Sequence, residues 1–142
     1  MAAITVDRDT PARDSSFGME HGLIALSSHQ FWKGGFVVLD QADGLLKKGT
    51  TATGLIAVGR CEETFLTGAS NTRRVKARSG IFKWLNSAAG DAILDDDIGK
   101  DCFIVDDQTV ALTSASSTRS RAGTIYGVDS DGVWVATGFP LT

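Results

Sequence analysis

The sequence predicts an all-β protein, built mainly from short strands and tight turns. Three observations carry this: 10 Val, 8 Ile and 14 Thr favour extended backbone, 16 Gly recur along the chain where turns need them, and no apolar stretch exceeds four residues. With 142 residues, 42% apolar and 22% charged, the chain suits one hydrophobic core and does not comfortably fill two. Strands are expected over residues 23–27, 35–39, 53–58, 74–77, 81–84, 102–105, 109–113, 122–128 and 133–137, a set that suits a barrel or a sandwich.

From the amino end, residues 1–20 are polar apart from Ile4, Val6 and Phe17, and are expected to form an extended arm on a single domain spanning 21–142. Those apolar side chains could add a strand to a partner's sheet. Asp43-Gly44 marks a turn after Val37-Val38-Leu39, and Asp106-Asp107-Gln108 separates two strands as a hairpin. The clearest hairpin is Asp129-Ser130-Asp131-Gly132, where Gly132 is expected to supply a positive φ. One short helix is expected within 91–100, with acids at its start and a left-handed Gly99 at its end. Residues 62–73 and 113–121 lack periodic apolar positions and are expected to be long loops, where partners bind. Trp134 should face away from its flanking valines, while Phe82 and Trp84 share a face that fills the barrel or a subunit interface.

Fourteen basic against 17 acidic residues give a net charge of −3, which repels a polyanion unless the cations cluster, so no nucleic-acid partner is expected. They cluster once, at Arg73, Arg74, Lys76 and Arg78, and alternation in a strand puts Arg74, Lys76 and Arg78 on one face. Such a stripe suits a phosphate or a carboxylate-rich partner, and equally an edge strand guarded by charge against unwanted pairing. No stretch is long enough for a membrane span, and residues 1–8 have no basic flank before a long apolar run, so neither a membrane partner nor a secretory leader is expected.

The residues suggest no catalytic constellation. His21 and His29 belong to no Ser/His/Asp, Cys/His or HExxH pattern and are expected at the surface. Cys61 and Cys102 lie among apolar residues without partners at metal-ligand spacing, and are expected to be reduced core residues. Asp95-Asp96-Asp97 lacks the alternation of a calcium loop, and Gly34-Gly35 lies in no phosphate-binding motif. Neither enzymatic activity, metal nor cofactor is expected.

Several blocks carry a resemblance: 31–40 (Phe31-Trp32-Lys33-Gly34-Gly35-Phe36), 53–64 (Gly59-Arg60-Cys61-Glu62-Glu63-Thr64), 75–87 (Ser79-Gly80-Ile81-Phe82-Lys83-Trp84), 97–111 (Cys102-Phe103-Ile104-Val105-Asp106-Asp107) and 119–135 (Thr124-Ile125-Tyr126-Gly127-Val128). Across residues 31–135 the chain resembles the capsid cement, or head decoration, proteins of tailed bacteriophages. The resemblance implies a small β-barrel or β-tulip that binds the outer surface of the expanded head and cements neighbouring major capsid protein subunits. It also implies a homotrimer on the capsid, a virion location after assembly in the host cytoplasm, and an amino-terminal arm that meets the coat lattice. Binding anchors are then sought at Ile4, Val6 and Phe17 in the arm, at Arg73 and Arg74 by the 62–73 loop, and at Trp32 and Trp84. Three Trp and one Tyr in a Gly- and Thr-rich background also admit a carbohydrate-binding or adhesion β-sandwich module.

Overall fold

A computed structural model describes residues 2–13 and 19–138. Twelve strands dominate: β1 (Ala12–Arg13), β2 (Met19–Ile24), β3 (Gln30–Phe31), β4 (Phe36–Asp40), β5 (Leu46–Lys48), β6 (Leu55–Cys61), β7 (Phe65–Leu66), β8 (Arg74–Trp84), β9 (Asp101–Ile104), β10 (Val110–Ala111), β11 (Arg121–Asp129) and β12 (Gly132–Thr137). The main sheet runs β10-β9-β11-β12-β8-β6-β4-β5, with β1 and β2 also paired to β8, while β3 and β7 form a separate ribbon.

The expected strands at 74–77 and 81–84 are one 11-residue strand, β8. Its first half pairs with β2 and β6, and its second half pairs with β12 and β1. Because side chains alternate, Val75 and Ala77 enter one core and Phe82 and Trp84 the other, from opposite faces of the same strand. β4 divides the cores in the same way, with Phe36 and Val38 on one side and Val37 on the other. In β6 the register slips between Ala57 and Gly59, leaving Val58 without a partner in β4, so Val58 and Cys61 share a core although they are three residues apart. Two such slips in β11, at Ala122 and at Tyr126, bring Ala122, Ile125 and Val128 to one core.

The sheet curls into a half-barrel, not the closed small barrel expected. Single parallel bridges, Ala25 to Leu46 and Leu85 to Thr109, draw its ends inward. The expected helix within 91–100 is two separate 3₁₀ turns, Ala89–Asp91 and Asp95–Asp97, although Gly99 has the expected positive φ of 95°. Gly132 lies within β12 and has no positive φ; there a Cβ would sit 2.7 Å from the Trp84 carbonyl oxygen, so close backbone approach selects the glycine.

Candidate docking surface

The amino-terminal residues do not extend as an arm. Ile4 is buried, and its backbone N–H donates to Asp107 Oδ1 at 3.0 Å. Arg8 N–H donates to the Lys33 carbonyl at 2.7 Å, and the Thr10 hydroxyl bonds the Gly34 carbonyl. The Arg8 guanidinium lies 5.2 Å from the Trp84 ring centroid and donates to the Lys83 carbonyl at 3.0 Å. The chain then enters β1, so residues 2–13 strap the end of the half-barrel where Trp84 sits. Of the expected arm anchors that are described, Ile4 is buried and Val6 points outward, 66% exposed; Phe17 lies outside the described residues.

Trp84 is no docking residue: it is fully buried, packed 5.0 Å from Phe36 and 6.4 Å from Phe82 between ring centroids. Trp32 is half-buried beside the strap. Arg73 pairs with Glu63 at 2.8 Å and lies 4.0 Å over the Phe65 ring, which orders the segment expected to be a loop. Glu63 also accepts the Lys76 backbone N–H, and Phe65 and Leu66 pair with Phe31 and Gln30. Arg74 is exposed and donates to the Gly22 carbonyl.

A cluster that the sequence left unassembled lies on the outer face of β11 and β12. Arg13 of β1 stands 4.5 Å from the Trp134 ring and 5.6 Å from the Tyr126 ring. Trp134 Nε1 donates to Asp129 Oδ2 at 2.9 Å, and Lys83 pairs with Asp129 and Asp131. The Trp134 and Lys83 bonds hold the Asp129 carboxyl below its usual range. Tyr126 is 51% exposed. Only the alternation around Trp134 hinted at this cluster; its Arg comes from a strand more than a hundred residues away.

The histidines are half-buried rather than at the surface. His21 Nε2 meets Ser79 Oγ at 3.1 Å; His29 Nε2 accepts the Lys48 backbone N–H at 3.2 Å, which assigns its ring proton to Nδ1. Burial, with Lys48 and Lys47 nearby, pushes the His29 pKa down to about 4. Both cysteines are free and buried, and burial pushes their thiols up to about 11 for Cys61 and about 12 for Cys102. Asp97 accepts the Leu94 N–H and the Lys100 ammonium, both at 2.9 Å, so this acid closes its own turn. Among the described residues no three His, Cys, Asp or Glu side chains group to hold a metal ion. No protein family, curated protein or solved structure matches the chain.

Proposed function

We propose that the chain is a structural virion protein that docks on the outer surface of an expanded phage head and cements neighbouring major capsid protein subunits. One observation carries the docking: Arg13 is held between Tyr126 and Trp134 on an outward sheet face. Arg, Tyr and Trp are the residues that most often anchor interfaces, and anchors fixed before binding lose little side-chain freedom on association. Exposed Val6 and the resemblance across residues 31–135 supply the partner, a capsid lattice. On a lattice, copies gain trimer contacts through local concentration without needing to be trimers when free.

The same two aromatic rings favour a second function, carbohydrate binding. Arg13 over the Trp134 ring argues against it, since the face a sugar would stack on is taken. Co-sedimentation with expanded heads lacking the protein tests the proposal. Saturable binding at a fixed ratio to the coat subunit, with a raised head melting temperature, supports it. A Trp134 fluorescence shift on adding sugars, with no head binding, would move the carbohydrate function to the front.

A further inference from the structure

The cations of β8 need a reason that edge protection does not supply. β8 pairs with β2 from Arg74 to Ser79 and with β6 at Ala77 and Arg78, and just beyond β6 Glu62 N–H and the Glu63 carboxylate bond the Lys76 backbone, so Lys76 and Arg78 guard no free edge. Their alternation with buried Val75 and Ala77 puts them on one outward face. Arg78 sits directly across from Arg60 of β6, a like-charge pairing that weakens a sheet unless something offsets it. Glu20 faces Arg78 from β2, yet among the described residues no carboxylate pairs with Arg78 or Lys76 within 4 Å. Where β6 leaves β8, a cleft of about 230 Å³ opens, lined by Arg8, Lys33 and Arg60 with Asp9 and Glu62. Glu62 is spent on Arg60 at 2.7 Å, and among the described residues no carboxylate lies within 4 Å of the Arg8 guanidinium, although Asp9 lines the same cleft. Burial holds Arg8 below its usual pKa, and the nearby Asp107 and Asp9 carboxylates offset that only in part.

We propose that the outward face of β2, β8 and β6, with the cleft beside it, docks an acidic surface of a partner protein, whose carboxylates seat against Arg78, Lys76 and Arg8. It rests on the cement function above only for the identity of that partner. The ligand is protein, not nucleic acid, on charge complementarity. Glu20, Glu62 and Asp9 interrupt the cations, so a continuous phosphate backbone meets repulsion where separate carboxylates fit between. The whole chain, at −3, adds to that repulsion. Cations two residues apart along a strand stand about 6.6 Å apart, which matches alternate acids on an extended partner segment.

The test is an NMR titration of the full chain with a hexaglutamate peptide at low salt, alongside a six-nucleotide single-stranded DNA. Amide shifts confined to residues 8, 20–24, 60–62 and 74–78, reversed by salt, are expected from hexaglutamate. They should weaken roughly tenfold or more in the doubly neutral K76Q/R78Q variant, which removes one exposed and one half-buried cation, neither in an ion pair among the described residues, and is expected to melt near wild type. Unchanged hexaglutamate affinity in that variant, shifts elsewhere, or tighter binding of the DNA at these amides would overturn the assignment. If the wild-type chain binds expanded heads and K76Q/R78Q binds them equally well, this face is wrong and cementing stands. If heads are not bound but hexaglutamate shifts these amides, the face is right and cementing falls.

Discussion

Gly34 stands where no side chain fits, because its φ is +92° and a Cβ would lie 1.8 Å from the Arg8 carbonyl oxygen. Gly34→Ala is therefore expected to lift residues 2–10 off the half-barrel, read as faster hydrogen exchange at Ile4 and Arg8 and a lowered melting temperature. Asp107 holds the same strap from the other side and leaves Oδ2 buried without a hydrogen bond among the described residues. Burial pushes its carboxyl above the usual range, so in that window the native chain holds a proton that the unfolded chain has released. Stability from this group then falls as pH rises through the window. Asp107→Asn keeps an acceptor for Ile4 and removes the charge, so its stability at pH 7 should equal or exceed wild type. Asp107→Ala strands the Ile4 N–H and should cost about 1–3 kcal/mol by urea unfolding. His29 carries the opposite sign: with its pKa lowered to about 4 from 6.5, it contributes stability that is present above pH 6.5 and lost as pH falls toward 4. His29→Gln retains an acceptor for Lys48 and should flatten the melting temperature across that interval. A slope as steep as wild type would refute this account of His29.

At the scale of elements, β8 decides the architecture. Its two halves supply opposite faces to two cores, and Trp84 at its end fills the larger one. Trp84→Ala should cost about 3–5 kcal/mol, since the ring is fully buried between Phe36, Phe82 and the Arg8 strap. A loss below 1 kcal/mol would mean that the site collapses freely. The two strands flanking the Asp129–Gly132 turn were legible in the sequence: 133–137, which alternates, lies within β12, and 122–128, apolar and bounded by turn residues, lies within β11. The break drawn between 77 and 81 was not real, because Ser79-Gly80 reads as a turn locally while pairing on both sides keeps it extended. β3 and β7 escaped notice for a related reason. Two-residue strands carry no period, and only the pairing of Phe31 with Phe65 makes them strands. Register slips in β6 and β11 are equally silent in a one-dimensional pattern, since they depend on which strand lies opposite.

On the whole molecule, the apolar residues at the amino end were legible and their disposition was not. Ile4 and Val6 look alike in sequence, yet one is buried on Asp107 and the other stands 66% exposed, a difference set by residues a hundred positions away. Trp84 was singled out for its size and proved to be core, whereas Tyr126 and Trp134 acquire their cation only when β1 pairs with β8 beside β12. This changes what a truncation would report. Removing residues 2–10 takes away the Ile4 bond to Asp107, the Arg8 stack on Trp84 and the Thr10 contact with Gly34 together. The truncated chain should melt lower, so its failure to decorate heads could reflect lost fold as much as lost contact. A substitution at Val6 separates the two, because its side chain is exposed and its loss uncovers no core. Val6→Asp is expected to change the unfolding free energy by no more than about 0.5 kcal/mol, as surface changes usually do, while weakening co-sedimentation with expanded heads. If Val6→Asp decorates heads at full occupancy, the strap is a structural clamp alone, and head contact must be sought on the Arg13 cluster and the basic face of β8.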